Sequence, residues 1–358
     1  MHKAQTLVVL IPAFPANEQE KNWLPTQQLF LVWVKKMFPG IQIIVLSLIY
    51  PDRISEYEWE GLKVLSFDGM RYRKLKQPLL WRRIWKQLSK INNTQAITGI
   101  LSFWCGECAL IGRYFSRLHS IAHRIVICGQ DAREKNKLVR FIRPAANELI
   151  AISDFLADEF YRNHHIMPAH IIPNGIDTSL FSTDRSTRDI DVIGVGSLSR
   201  LKQYDLFIEI IAGLKKEMPD IRAVLCGDGE DVDRIKKMRE DYFLENIVDM
   251  PGLLVPSKAI RMMQRAKIFL HPSSYEGFSM ACLEALYAGA HVISFTKPMH
   301  HDIQNWHIVK TKEEMQQKAL ELLKDPDIVY EPVMLYSMND TVKKIMGLFE
   351  FSETQKDI

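Results

Sequence analysis

The sequence has little that would staple, anchor or strongly polarise the chain. Its five cysteines in 358 residues show no regular spacing, which excludes a disulfide framework and suits a reducing compartment. No apolar run approaches the ~20 residues of a membrane span. The run Leu7 to Ile11 is too short for a leader and no small-residue cleavage site follows it, so it reads as a first buried strand. Low-complexity segments and internal repeats are missing. The charges nearly cancel, with 46 Lys and Arg against 43 Asp and Glu, and nothing resembles a nucleic-acid recognition motif. The longest acid-free stretch is also basic. No Asp or Glu lies between Gly69 and Gly106, whereas eight Lys or Arg fall between Arg71 and Lys90. What remains is ordinary for a soluble globular protein, 47% hydrophobic and 25% charged, and the length suits two domains of ~150–180 residues.

Strand-like runs alternate with helical patterns along the whole chain, which implies α/β architecture with parallel sheets and crossover helices. The pattern predicts strands over 7–11, 41–48, 61–66, 99–103, 124–128, 148–152 and 170–172, then over 191–195, 221–226, 247–250, 268–271 and 291–294. A helix is expected over 203–216, with Leu206, Ile210 and Leu214 on one face, widened by Phe207 and Ile211. The polar stretch 182–189 is the best linker. It divides the chain into a first domain over 1–183, a second over 184–336, and a C-terminal helix over 337–358 that returns to the first domain.

The most informative segment runs from Ser274 to Ile293. An apolar strand ends at Pro272, a loop carries Glu276 and Gly277, and a helix starts near Ser279 with Met280, Leu283, Glu284 and Tyr287 at helical spacing. That order aims backbone N–H groups of Gly277, Phe278, Ser279 and Met280 beyond a strand end, with the positive helix terminus behind them, as an anion site requires. Two carboxylates eight positions apart, Glu276 and Glu284, can then accept hydroxyl hydrogen bonds on either side of a phosphate. Phosphate donors flanked by hydroxyl acceptors fit a sugar nucleotide. Alone, either glutamate would read as a surface carboxylate favoured by a helix start.

In register with this segment stand Ile171-Ile-Pro-Asn-Gly-Ile-Asp177, Gly194-Val-Gly-Ser-Leu-Ser-Arg-Leu-Lys-Gln-Tyr-Asp205, Ala223-Val-Leu-Cys-Gly-Asp-Gly-Glu230 and Pro251-Gly-Leu253. Together they resemble the retaining glycosyltransferases of the GT-B fold, family four. The resemblance implies two Rossmann-like domains facing each other across a cleft, with the nucleotide sugar held by the second and the acceptor by the first. It also implies roles. Glu276 would contact donor-sugar hydroxyls, Glu284 the ribose diol, and Gly277 to Met280 the diphosphate. Lys202 would neutralise that diphosphate, a leaving group whose developing charge needs fixed positive donors. Ser197 stands where the family has an arginine, and Arg200 is the substitute. Gly227 and Gly229 would approach the nucleotide, and Gly252 and Leu253 its base.

The first domain departs from the family pattern. Pro12-Ala-Phe-Pro-Ala-Asn17 replaces a Gly-Gly loop, and Cys128 stands at a histidine position, so Gln130 or Asp131 is expected to take a polar role there, Asp131 as the catalytic candidate. Phe14, Trp104, Glu107 and Gln130 are expected at the acceptor side. Trp104-Cys-Gly-Glu-Cys108 also has the form of a redox pair at a helix start, and Cys128, His119 and His123 could complete a zinc site, although their spacing matches no known zinc motif. Asp189-Ile-Asp191 and Asp325-Pro-Asp327 sit at a strand start and a helix end, so no metal is expected. The run Pro78 to Lys90 reads as an amphipathic helix, either an ordinary surface helix or an interfacial one with Trp81, Trp85, Arg82, Arg83 and Lys86 on anionic lipid.

The expected function is transfer of a sugar from a UDP- or GDP-linked donor to a glycan or lipid-linked acceptor with retention, in cell-surface polysaccharide, lipopolysaccharide or glycolipid synthesis. Such an enzyme needs no further cofactor and works in the cytoplasm, peripherally on the inner membrane face. A degenerate sugar-nucleotide binder, a GT-B epimerase and a redox protein are the alternatives.

Overall fold

A computed structural model describes residues 5–20, 24–72, 76–182, 187–349 and 351. The chain forms two compact units, Met1–Asn174 with Met338–Ile358, and Gly175–Ser337. The expected division at 183/184 lies outside the described residues. The chain joins the second unit earlier than that polar stretch: Phe181 packs edge-on against Tyr287 at 4.7 Å and Ser182 exchanges hydrogen bonds with Gln264.

The first unit is built on β1 (Gln5–Ala13), β2 (Ile41–Tyr50), β3 (Ile54–Trp59), β4 (Leu62–Phe67), β5 (Ile97–Phe103), β6 (Ala122–Ile127), β7 (Leu149–Ala151) and β8 (His170–Ile171). These form one sheet in the order β3-β4-β2-β1-β5-β6-β7-β8, parallel except for the β3–β4 pair. The run Leu7 to Ile11 in β1 is fully buried, as a central strand covered on both faces must be. Helices α1 (Pro25–Met37), α2 (Gln77–Gln95), α3 (Glu107–His119), the single turn α4 (Val139–Ile142) and α5 (Asp154–His164) connect the strands. On α2, Leu80, Ile84, Leu88 and Ile91 enter the core with β1, β2 and α3.

The second unit carries β9 (Ile190–Val195), β10 (Ala223–Cys226), β11 (Val248–Gly252), β12 (Ala266–His271), β13 (His291–Ser294) and β14 (Trp306–Ile308) in the parallel order β11-β10-β9-β12-β13-β14. Its helices are α6 (Tyr204–Glu217), α7 (Val232–Asp241), α8 (Pro256–Gln264), α9 (Met280–Tyr287) and α10 (Lys312–Lys324). On α6 the buried face is Tyr204, Phe207, Ile208, Ile210, Ile211 and Leu214; Leu206, expected at its centre, is only half-buried. The closing helix α11 (Met338–Gly347) belongs to the first unit and packs on α1. Thr341 donates to the Pro173 carbonyl at 2.8 Å, and Arg124 to that of Leu348 at 2.6 Å.

Candidate functional site

Strand order decides where the second unit can bind. From β9 the chain moves outward through β10 and β11, then returns to the other side of β9 as β12 and moves outward through β13 and β14. The connections therefore leave β9 and β12 in opposite directions, opening a crevice beyond their carboxyl ends. Lys202 follows β9, Glu276 follows β12, and the two side chains form an ion pair there. The loops that carry them are tied together. The Leu201 carbonyl accepts from the Ser274 N–H at 3.0 Å and from the Ser273 and Ser274 hydroxyls at 3.2 Å each.

Burial opposes ionisation of Glu276, but His271 Nε2 at 3.4 Å and the Lys202 charge outweigh it and hold the carboxyl at about 2. His271 is itself fully buried, which lowers its pKa and keeps the imidazole neutral. The helix start is built as expected. Ser279 caps α9, its hydroxyl accepting from the Cys282 N–H at 3.4 Å, so the first-turn N–H groups of α9 lack helical partners. The Phe278 side chain is core, against Trp306 at 5.9 Å and Tyr336 at 5.8 Å, which leaves its backbone as the part available to a ligand. Gly277 is buried and Met280 half-buried.

Two further strand ends complete the rim. The Gly227 N–H donates to the Gly252 carbonyl at 2.9 Å, and Leu198 N–H to that of Asp228 at 2.9 Å. A Cβ at Gly227 would stand 1.9 Å from the Gly196 carbonyl oxygen, so this close approach requires glycine. Gly229 lies beside it, exposed, while Gly252 turns the chain at φ 76° and leaves Leu253 exposed. Ser197 and Arg200 are exposed on the β9 loop. The fully buried Tyr204 hydroxyl beneath that loop escaped the sequence reading, because a tyrosine at a helix start gives no signal of its position.

Glu284 points from α9 with no charged or hydrogen-bonding partner for its carboxylate among the described residues, and burial pushes its pKa up to about 7. A raised carboxyl contributes stability fully below its ordinary pKa and loses it as pH rises through about 7; Glu276, held low, behaves oppositely and loses its contribution as pH falls toward 2. Glu284→Gln is therefore expected to stabilise the protein by up to ~3 kcal/mol at pH 8 and to leave it nearly unchanged at about pH 4, below the ordinary carboxyl pKa. Thermal unfolding at both pH values checks this; equal differences at both contradict it.

The first unit corrects several expectations. Asp131 does not present a free carboxylate. It is buried and accepts from the backbone N–H groups of Cys105 at 2.9 Å, Cys128 at 3.1 Å and Gly129 at 2.8 Å, which pins the β5 end to the β6 end. Gln130 is exposed in the same turn. Phe14 is wholly buried against Trp59 at 5.0 Å, because the Pro12–Pro15 segment folds back over the sheet edge. Trp104 and Glu107 do line a hollow at the strand ends. Cys105 and Cys108 are buried free thiols, and burial raises the pKa of both, the opposite of redox activation. His123, a zinc candidate, is committed to the Ser102 hydroxyl at 2.9 Å. On α2 the cations Arg82, Arg83 and Lys86 are exposed, but Trp81 and Trp85 turn half-buried toward α3, where Trp85 packs on Phe115 at 5.1 Å.

Residues 176–331 match the family model of glycosyl transferases group 1. The second unit belongs to that family. Among curated relatives, the phosphatidylinositol N-acetylglucosaminyltransferase gpi3 subunit of Schizosaccharomyces pombe is 28% identical over 71% of this chain and 59% of its own. The putative colanic acid biosynthesis glycosyltransferase WcaL of Escherichia coli is 30% identical over 34% of this chain and 32% of its own. The chain thus spans less than two thirds of either relative. Alr3699/HepE from Anabaena, solved with UDP and glucose, matches at TM-score 0.67 and 14% identity over 97% of both chains. The fold is that of the GT-B glycosyltransferases, as the sequence resemblance implied.

Proposed function

We propose that the chain is a retaining glycosyltransferase that moves a sugar from a UDP- or GDP-linked donor to a glycan or lipid-linked acceptor, without a metal. One observation carries this reading: Lys202 and Glu276 meet beyond β9 and β12, at the point where the six-stranded sheet reverses its order and α9 begins. In this mechanism Lys202 and Arg200, with the first-turn amides of α9, take up the charge that develops on the departing diphosphate. Donor binding separates Lys202 from Glu276, freeing the carboxylate to accept hydroxyl hydrogen bonds from the sugar. Glu284 accepts from the ribose, and the backbone around Gly227, Gly229 and Gly252 lies along the nucleotide. The UDP and glucose named with the Anabaena structure, and the sugar transfer named for the yeast relative, support the substrate class. Isothermal calorimetry with UDP and GDP, beside donor-hydrolysis and transfer assays, tests it; binding of neither nucleotide contradicts it.

A second reading, a sugar-nucleotide binder without turnover, is favoured by one feature. Cys128 stands where the family has a histidine that contacts the donor sugar, and Asp131 is fully occupied in holding its loop. Nucleotide binding with neither hydrolysis nor transfer would select it.

The work site we propose is the cytoplasmic membrane face, in cell-surface polysaccharide or glycolipid synthesis. Among the described residues no helix is long and apolar enough to cross a membrane, so contact would be peripheral, through the exposed Arg82, Arg83 and Lys86 of α2, each worth ~1 kcal/mol near anionic lipid. Replacing all three by glutamate is expected to abolish flotation with phosphatidylglycerol vesicles; unchanged flotation contradicts the contact.

A further inference from the structure

The first sheet has a reversal of its own. From β1 the chain moves outward through β2 and then β4, and returns on the other side of β1 as β5. Beyond the carboxyl ends of β1 and β5 lies a hollow of about 330 Å³ whose lining includes Pro12, Leu48, Ile49, Trp104, Glu107 and the buried Cys108. Its most unusual member is Trp104, whose backbone sits at φ 67°, a left-handed conformation costly for a bulky residue. The fold enforces that conformation from several sides. The Trp104 N–H donates to the Val126 carbonyl at 2.9 Å, and the Gly106 N–H to that of Trp104 at 2.8 Å. The next residue is clamped twice, its N–H held by buried Asp131 at 2.9 Å and its carbonyl by the Asn136 amide at 2.7 Å. A strained aromatic kept in place by a buried polar network is the mark of a positioned contact surface rather than of packing. Glu107, half-buried beside it, accepts from the Gln77 amide and interacts with the Trp81 indole N–H, and its carboxylate keeps lone pairs to accept a further hydrogen bond. A Cβ on Gly106 would meet nothing within 4 Å, so there is open space above the backbone between them. Among the described residues no Lys or Arg lines the hollow.

We infer that this hollow seats an uncharged pyranose ring of the acceptor, its C–H face against the Trp104 indole and the apolar wall, one hydroxyl donating to Glu107. The inference rests on the transferase reading and specifies its acceptor. An aromatic plane beside a single fixed acceptor suits a ring that is apolar on its face and hydroxylated at its edge. A phosphate would find no cation among these residues, and a purely aliphatic chain would strip water from the Glu107 carboxylate while adding no hydrogen bond to it. Asp131 and Asn136 act here as positioning residues, which gives the Trp-Cys-Gly-Glu-Cys segment a role other than redox chemistry.

Fluorine NMR of the full chain labelled with fluorotryptophan tests this directly. Trp104→Phe identifies the Trp104 signal among the seven tryptophans. Methyl glycosides of glucose, galactose, mannose and N-acetylglucosamine, glycerol phosphate and hexanoate are each titrated to ~50 mM, because a single small ring is expected to bind weakly, in the millimolar range. The expected result is a saturable shift of the Trp104 signal with at least one glycoside, weakened about 5-fold or more by Glu107→Gln, a loss on the order of 1 kcal/mol in hydrogen bonding. Asp131→Asn and Asn136→Ala should move or broaden that signal before any ligand is added and weaken the glycoside, while UDP affinity measured by calorimetry stays unchanged. If Asp131→Asn fails to fold, Asn136→Ala carries the same comparison. A shift with glycerol phosphate or hexanoate and with no glycoside, or no shift at all, overturns the inference. Loss of UDP binding by the unaltered chain would instead overturn the transferase reading and leave the Trp104 result standing.

Discussion

Replacing either Glu276 or Lys202 by alanine should cut sugar transfer about 100-fold or more, while the far-UV circular dichroism spectrum stays that of the native chain. A transition state that loses one preorganised charge partner loses about 3 kcal/mol, which is that factor. The two substitutions remove different groups, an acceptor for sugar hydroxyls and a cation for the diphosphate, so each should act alone. They also have structural effects that can be separated from catalysis. Lys202→Ala leaves the Glu276 carboxylate largely buried with only neutral His271 beside it, which costs stability because a buried charge has lost its counter-ion. Glu276→Ala leaves Lys202, 20% exposed like its partner, without a counter-ion, a cost of the same kind. The assay should therefore be run at a temperature where both variants remain folded. Near-normal transfer by both would remove this pair from the mechanism.

The second large effect concerns the backbone beneath the site. Gly227→Ala puts a methyl group where the Gly196 carbonyl oxygen would lie only 1.9 Å away. The obstacle is backbone rather than the end of a flexible side chain; the Gly196 N–H ties the β9 end to the Cys226 carbonyl of β10 at 3.1 Å, and the Gly227 N–H ties the β10 end to the Gly252 carbonyl of β11 at 2.9 Å. Relief requires parting the ends of β9 and β10. We expect a cost of about 3 kcal/mol, a fall of about 6–12 °C in the midpoint of thermal unfolding, and weakened nucleotide binding. Gly252→Ala is the informative comparison, because its added Cβ would meet nothing within 4 Å and only the φ of 76° is unfavourable. Its penalty should be about 1 kcal/mol. Equal penalties at the two positions would show that the strand ends are not in close register.

Much of this was legible beforehand because long apolar runs and loop punctuation fix parallel strands well. The runs at Leu7 and Ile268 are buried on both faces, and such strands leave an unmistakable pattern. The helix start at Ser279 was equally plain, since a cap residue follows a glycine loop. What escaped has physical reasons. Strand β3 alternates exposed Ile54, Glu56 and Glu58 with inward Ser55, Tyr57 and Trp59 on an antiparallel edge, and this mixing of polar and apolar residues on each face disguised it as a loop. Strand β14 has three residues and is recognisable only by its pairing with β13. The polar stretch after Phe181 looks like a linker by composition, yet the chain ahead of it is already packed on the second unit through Tyr287 and Gln264. Asp131 shows the sharper limit. A lone acid after Gly-Gln gives no indication whether its carboxylate faces a substrate or three backbone N–H groups, and only the fold brings Cys105 to it. The tryptophans of α2 were correctly assigned to a helix, but helical spacing alone did not reveal that α3 would draw them inward.

A crystal structure of the chain soaked with UDP addresses the central claim most directly. The expected density places the diphosphate beyond β9 and β12, with Lys202 moved from Glu276 onto a phosphate, the first turn of α9 facing it and Glu284 on the ribose. Well-ordered UDP bound elsewhere, with the Lys202–Glu276 pair undisturbed, would contradict it.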